Sequence, residues 1–305
     1  MLETLKALAD PTRLRLLAVL SRGEFTVQEL TAILAMGQSR ISRHLKILVA
    51  AGLLSVKRQG TWGYYRLGEE NPFFREIWPS LDSRLEALPE RRRDLDGVAR
   101  VLETRRSRSR EFFDRHARQW DELARTLLPV ADYLTPLLEA IPPCATLLEV
   151  GVGTGALLGS LRLAADSVIG VDHSPAMLDE ARNRLAAEDL AGVALRLGEM
   201  AHLPLSDGEA QVAILNMVLH HAPQPSAVLA ELARVLAPGG TLLIADLARH
   251  EKEWVREQMA DQWLGFEAEE LQGWLTTAGF DGADCRLVAG SGDAQGVLIC
   301  RALRR

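Results

Sequence analysis

Residues 146–155, TLLEVGVGTG, place the tightest limit on what this chain can fold into. Leu147, Leu148 and Val150 form an apolar run that ends at Gly151, Gly153 and Gly155, and an apolar-periodic segment (Ala156, Leu157, Leu158, Leu161, Leu163) follows at once. The pattern predicts a strand, a glycine turn and a helix. Alternate glycines let the backbone turn sharply and approach a ligand closely, while the start of a helix presents N–H groups that have no intrahelical partner. A polar, nucleotide-like ligand suits such a turn.

The same unit repeats downstream. Residues 167–172, 193–200, 210–218 and 241–247 read as further strands, with helical periodicity over residues 174–185 and 225–236 between them. Alternating strands and helices imply a mostly parallel sheet covered on both faces, with ligands at the carboxyl ends of the strands. Residues 285–290 and 296–303 read as an antiparallel hairpin on one edge.

This sheet leaves the front of the chain unexplained, and 305 residues at 48% hydrophobic composition are enough for two cores. Charge divides along the same line. The total is −6, yet residues 1–110 hold 20 Lys+Arg against 13 Asp+Glu, so the acidic excess lies wholly behind a basic front. For nucleic acid the sign of the contacting domain matters more than the total. No apolar run reaches membrane-span length and the amphipathic start MLETLKALADPTR is no signal peptide, so a cytoplasmic protein without membrane contact is expected. Cys144, Cys285 and Cys300 are odd in number and far apart, which predicts ordinary half-buried thiols, with neither a disulfide framework nor a zinc pattern.

In the basic part, two short helices flank Asp10-Pro11, an N-cap followed by a proline at the first helical position. Thr26 and Glu29 form a capping box that opens a third helix through Leu30, Ile33 and Leu34. After Met36-Gly37 a fourth helix runs from Gln38 to about Val49, with Ile41, Leu45 and Leu48 as its inward stripe. Its other face carries Gln38, Ser39, Arg40, Ser42, Arg43 and Lys46, the donors and small hydroxyls suited to a DNA major groove. An alternating LLSVKRQG, a turn at residues 61–63 and a returning YYRL complete a hairpin wing tipped with Lys57 and Arg58.

LADPTRLRLLAVL, SRISRHLKILVAAGLL and VKRQGTWGYYRL, in that order, resemble the ArsR/SmtB group of winged-helix repressors over residues 1–90. The resemblance implies an α+β winged helix-turn-helix, a homodimer formed through the first helix and residues 72–88, and binding to a palindromic double-stranded operator. Many members sense metals through cysteines at the start of the third helix; Phe25, Val27 and Gln28 stand there instead, and residues 72–88 have neither His nor Cys. His44 is the one histidine of this part and has no partner ligand in the sequence, so no metal site is expected. Residues 91–110 are arginine-rich with Val98, Val101 and Leu102 at helical spacing. They read as a basic helical linker, either merely solvated or extending the DNA footprint.

The glycine turn alone leaves its ligand open, because GVGTGA also satisfies the dinucleotide-binding pattern and Asp172 could accept from a ribose in either family. The series LEVGVGTG, VDHSP, GEMAHLPL, LNMVLHH and ARVLAPGGTLLIAD resembles, in order, class I S-adenosylmethionine-dependent methyltransferases acting on small molecules. It implies a Rossmann-like α/β domain over residues 111–305 with a mostly parallel seven-stranded sheet. By that resemblance Gly151, Gly153 and Gly155 pass beneath the methionine moiety of S-adenosylmethionine or S-adenosylhomocysteine, with Glu149 beside it. Asp172 holds the ribose diol, His173 flanks the adenine, Glu199 and Met200 meet its edge, and Asn216 faces the sulfonium. Glu199 stands where Asp is commoner. FFDRHARQW, residues 112–120, resembles the segment that lids this domain, with Phe113 and Trp120 as covers or as plain core.

His220 and His221 follow the fourth strand, either as a catalytic base near the methyl group or as a cap on the next loop. Arsenite methylation would need clustered cysteines, which the sequence does not place together. Residues 249–266, with His250, Trp254, Trp263 and Phe266, line a pocket or an interdomain face. The combination resembles ArsR-type regulators of methionine and S-adenosylmethionine-cycle genes. The expected function is repression controlled by the adenosyl compound; the alternative is an active small-molecule methyltransferase carrying a DNA-binding domain.

Overall fold

The computed structural model describes residues 1–68 and 70–305, in two units that divide between Arg105 and Arg106. The first begins with α1 (Leu2–Leu8) and α2 (Pro11–Leu20), and Asp10 caps α2 by accepting the Arg13 N–H at 3.0 Å. β1 (Phe25–Thr26) leads into α3 (Val27–Leu34), where the Thr26–Glu29 capping box forms in both directions. Ala35, in the left-handed conformation at φ 52°, ends α3 and turns the chain toward α4 (Gln38–Ala50).

β2 (Leu54–Gln59) and β3 (Trp62–Leu67) form the wing, in a sheet of order β1-β3-β2. Gln59 pairs with Trp62, so the hairpin turns at Gly60-Thr61 and Trp62, expected in the turn, opens the return strand. α5 (Pro72–Leu85) follows, capped by Asn71. Leu16, Leu17, Phe25, Leu30, Ile33, Ile41, Leu45 and Leu48 are closed to solvent and fuse these elements into one core, each contributing about 1.5–3 kcal/mol of burial free energy.

α6 is a helix from Arg91 to His116. Its residues up to Arg105, read from the sequence as linker, are packed into the first unit. Asp94 accepts from Arg15 Nε at 2.8 Å and Nη2 at 2.7 Å, and Arg105 donates to both carboxylate oxygens of Glu29. The arginine count signals solvation; Arg105 nonetheless turns inward to Glu29, and the linker's Asp94 takes Arg15 of α2.

The second unit takes the remainder of α6 and then α7 (Trp120–Leu127) and α8 (Leu134–Glu139). Next come β4 (Cys144–Val150), α9 (Leu158–Ala164), β5 (Ala165–Asp172), α10 (Pro175–Ala187), β6 (Val193–Leu197) and β7 (Ala210–Asn216). α11 (Pro225–Val235), β8 (Leu236–Leu247), α12 (Val255–Gln258), α13 (Ala268–Thr277), β9 (Phe280–Val288) and β10 (Val297–Arg304) complete it. The seven-stranded sheet has the order β6-β5-β4-β7-β8-β10-β9, parallel except for β10, which runs antiparallel to both neighbours. From β4 the chain winds outward through β5 and β6, then returns to β7 on the other side. That reversal opens a crevice at the carboxyl ends of β4 and β7, where the glycine turn lies.

The expectation of three thiols is corrected. Cys285 on β9 faces Cys300 on β10 in register, and the two form a disulfide; Cys144 at the start of β4 is free and half-buried. Residues 15 apart in sequence become direct cross-strand neighbours only through the hairpin register, which cysteine spacing does not reveal. Among the described residues no helix is long and apolar enough to cross a membrane.

Candidate functional site

A cavity of about 720 Å³ opens over the carboxyl ends of β4, β5 and β7. Glu149, Gly151, Gly153, Asp172, His173, Met200, Asn216, His220 and His221 all line it, which brings together most of the residues singled out in the sequence. Gly155 and Glu199 are not on its wall. Gly155 has a packing role: at φ 77° a Cβ there would sit 2.8 Å from Leu158 Cδ1 and 3.2 Å from Ala181 Cβ, so glycine lets α9 and α10 close on the turn. Glu199 forms a local bridge with His202, leaving Met200 as the lining residue of the pair.

At Gly151 the demand is stricter. Its φ is 73°, and a Cβ would fall 2.2 Å from Val218 Cγ2. Beyond the turn, Asp172 accepts the Gly153 N–H at 2.9 Å and the Ser174 N–H at 2.9 Å, so its carboxylate also shapes the glycine turn. Burial nonetheless raises its pKa. Glu149 is closed to solvent, and burial, reinforced by the Asp172 charge, pushes its pKa up to about 8. Glu149 Oε2, Asn216 Oδ1 and His173 Nε2 are buried polar atoms without hydrogen-bond partners. Such groups are costly unless a ligand satisfies them.

The last turn of α6 and the start of α7 cover this cavity. Asp114 accepts from Ser174 Oγ at 2.6 Å, and Asp121 accepts from Thr154 Oγ1 at 2.7 Å and from Arg184 Nη2 at 2.6 Å. Phe113 then stands edge-on to Trp120, His221 and His173, with ring centroids at 5.0, 4.8 and 6.0 Å. Phe113 and Trp120 both line the cavity and also pack with Ala117 and Met177 in one apolar cluster, so the two roles that the sequence left open coexist. Asp114, Asp121 and Arg184 were not anticipated. As isolated charges on helical segments they carry no sequence signal, and only the fold brings them to the glycine turn.

The histidines are not equivalent. His220 Nδ1 lies 2.7 Å from Asp246 Oδ1, and Asp246 is itself held by the N–H groups of Leu219 and Leu247. Burial pushes the His220 pKa down, but the charges of Asp246 and Asp261 outweigh it and raise the ring above its ordinary value. His221 stays neutral: burial first, then the neighbouring His220, drive its pKa well below 6.5. Asp246 and Asp261 also escaped sequence reasoning, lying on β8 and after α12. Of the 249–266 segment, Trp263 and Phe266 are buried core and His250 is half-buried with a pKa lowered to about 4, chiefly by desolvation; none of these three lines the cavity, to which the segment contributes Met259.

In the first unit, Gln38, Ser39, Arg40, Arg43 and Lys46 are exposed along α4 and Ser42 is half-buried, while Ile41, Leu45 and Leu48 are closed off. The helix therefore presents the polar face its sequence predicts. Lys57 and Arg58 lie on β2 of the wing. His44 faces inward, with Nδ1 3.7 Å from Asp10.

The model of the bacterial regulatory protein arsR family matches residues 10–56, and that of a methyltransferase domain matches residues 148–244. The chain is 37% identical over 93 residues to the arsenical resistance operon repressor of Escherichia coli, an alignment covering 28% of this chain and 80% of that protein. The chain belongs to the arsR family. Behind its arsR-type helix-turn-helix this family member carries a class I methyltransferase domain. That domain is 35% identical over 154 residues to an arsenite methyltransferase of Halobacterium salinarum, covering 48% of this chain and 39% of that protein. A Haemonchus contortus N-methyltransferase, solved with phosphomonomethylethanolamine and S-adenosylhomocysteine, shares the fold at a TM-score of 0.52 and 16% identity, covering 64% of this chain and 60% of that one. The arsR-family chain spans between 37% and 58% of the lengths of the first curated relatives it matches.

Proposed function

We propose that this arsR-family protein is a cytoplasmic, homodimeric transcriptional repressor of methionine and S-adenosylmethionine-cycle genes, and that its methyltransferase domain senses S-adenosylmethionine or S-adenosylhomocysteine. The observation that carries this reading is the cavity wall. Glu149 Oε2 and Asn216 Oδ1 are buried polar atoms without hydrogen-bond partners, set beside Gly151, where a Cβ would collide with Val218. An amino-acid ammonium group satisfies the first, and a ribose diol can share the Asp172 carboxylate. When bound, the adenosyl sulfonium supplies an electrophilic methyl group; its demethylated product supplies the same recognition groups without one. Glu149 and Asp172 position the ligand, and Phe113 and Trp120 shield it from water.

Two further features support a DNA-bound dimer under this control. α4 exposes Arg40, Arg43 and Lys46 for phosphate and base contacts, and α1 leaves Leu2 and Leu5 at 62% and 45% exposure, which suits burial against a second copy. The adenosyl compound shifts DNA affinity only if it binds the two states of that dimer unequally. Calorimetric titration of the protein with each compound, alone and on DNA carrying the promoter of its own gene, tests the reading. Binding near one equivalent per chain that changes on the DNA complex is expected; identical curves with and without DNA would remove the sensing role.

A second reading is favoured by one placement: His220 and His221 lie on the same wall as Asn216, so a molecule in the cavity meets two imidazoles beside the position expected for the methyl group. Under it the protein is an S-adenosylmethionine-dependent methyltransferase with a DNA-binding domain. The three cysteines do not supply a thiol cluster for arsenite, since Cys144 begins β4 and the other two are joined to each other. Formation of S-adenosylhomocysteine with small amines, thiols or phenols presented singly, lost in His221→Ala, is the result this reading requires.

A further inference from the structure

The segment after α12 is tied to the histidine pair by its backbone. The N–H groups of Gln262 and Trp263 each donate to the His220 carbonyl at 3.0 Å, and Trp263 Nε1 donates to the Ala222 carbonyl at 2.8 Å. Ala260, just before, adopts the left-handed φ of 58°, a conformation that costs a non-glycine residue roughly 1 kcal/mol or more. The result is to turn the Asp261 side chain inward beside both imidazoles. Its Oδ1 lies 3.8 Å from His220 Nε2 and 3.6 Å from His221 Nδ1.

That carboxylate has no exposed side-chain surface, and neither oxygen has a hydrogen-bond partner. A buried carboxylate is tolerated when it is paired, hydrogen-bonded or bound to a metal. The ligand atoms of His220, His221 and Asp261 all lie within 4.8 Å of one another, a spacing that one ion at about 2.0–2.2 Å from each nitrogen and oxygen can bridge with small side-chain adjustments. The ring nitrogen of His220 that faces away from Asp261 is 2.7 Å from Asp246, which is the outer carboxylate that orients a metal-bound imidazole. His221 Nδ1 has one other neighbour, the Ala260 carbonyl at 3.4 Å, a long contact that an ion would replace.

We propose that His220 Nε2, His221 Nδ1 and Asp261 form a binding site for one divalent first-row transition-metal ion. Two imidazoles and one carboxylate form a nitrogen-rich set that suits zinc or iron(II) and poorly matches the all-oxygen preference of magnesium and calcium. Three protein ligands leave coordination positions open. His220 and His221 line the cavity while Asp261 does not, so the ion would sit behind the two imidazoles that form the wall. The expectation of no metal site rested on the winged-helix ligand positions; here Asp261 stands about 40 residues beyond the histidine pair, and tertiary structure alone joins them. The site is independent of the adenosyl reading.

The test uses the full-length protein stripped with a chelator and no adenosyl compound. Zinc is titrated by calorimetry, thermal unfolding is followed with and without zinc, and the visible spectrum is recorded after loading with cobalt(II). The expected result is one zinc per chain, a zinc-dependent rise in melting temperature and cobalt d–d absorption. Asp261→Ala should weaken zinc roughly 100-fold or more, and Asp246→Asn by about 10–100-fold through the outer contact. His202→Ala, at an exposed histidine, should change nothing. If Asp261→Ala does not fold, the near-isosteric Asp261→Asn carries the same readout. No zinc bound by the unsubstituted protein, or equal binding in Asp261→Asn, would overturn the site.

Discussion

Asp246 Oδ1 lies 2.7 Å from His220 Nδ1, in a place where neither side chain keeps more than 5% of its surface exposed. The same carboxylate accepts from Leu219 N at 2.8 Å and Leu247 N at 2.7 Å, so one side chain on β8 fixes both the ring and the backbone that follows β7. Asp246→Ala removes all three contacts and leaves the Nδ1 of a buried imidazole and two N–H groups unpartnered. A loss of about 3–5 kcal/mol in urea unfolding is expected.

The glycine turn discriminates between its own members. Gly151→Ala places a Cβ against Val218 at left-handed φ, whereas Gly153→Ala, at φ 53°, meets nothing within 4 Å. Gly153→Ala should therefore cost only backbone strain, about 1–2 kcal/mol. Gly151→Ala should lose more stability and bind S-adenosylhomocysteine much more weakly. Parallel calorimetry and thermal unfolding of the two variants measures the difference.

Glu149 makes stability depend on pH. Its folded pKa is raised to about 8 from an ordinary 4.5, so between those values the folded chain holds a proton that the unfolded chain has released. This group's contribution is fully present below pH 4.5 and is lost as pH rises toward 8. Urea midpoints at pH 5.5 and 8 should show that decline, and Glu149→Gln should flatten it.

Arg40 and Arg43 are exposed on the polar face of α4. Each Arg→Ala substitution that removes a phosphate contact should reduce the slope of log affinity against log salt by about 0.9. A residue that reads a base should instead lower affinity for the promoter of the gene and leave non-specific binding nearly unchanged. Fluorescence anisotropy across a salt series on both DNAs separates the two.

The Cys285–Cys300 disulfide closes a loop of sequence separation 15 at the sheet edge. Cross-linking a loop of that size stabilises by up to about 3 kcal/mol. Cys300→Ser should lower the thermal midpoint in non-reducing buffer, while the unsubstituted protein in strong reductant should fall to nearly the same value.

Much of the architecture was readable because it follows from local rules. Asp10-Pro11 and Thr26-Glu29 announce helix starts through their own backbone chemistry, and both caps form. The glycine spacing after residue 150 marks the turn, and the ordered motifs behind it identify the methyltransferase sheet. The cavity residues at the ends of β4, β5 and β7 were legible for the same reason, since each closes a strand whose apolar run is visible in one dimension. Glu199 was assigned by position in a motif, but the local bridge to His202 leaves Met200 as the residue on the wall.

The sequence by itself determined two domains of opposite charge, an arsR-type recognition helix and a glycine turn that demands a polar ligand, because periodicity, capping and glycine conformation act over a few residues. Only tertiary structure decided which charges leave solvent. It carried Asp246 and Asp261 to the histidine pair, Asp114 and Asp121 to the glycine turn, and Cys285 to Cys300. Those partners are distant in sequence, and their electrostatics and bonding depend on through-space distance and burial, which strand order and backbone register set.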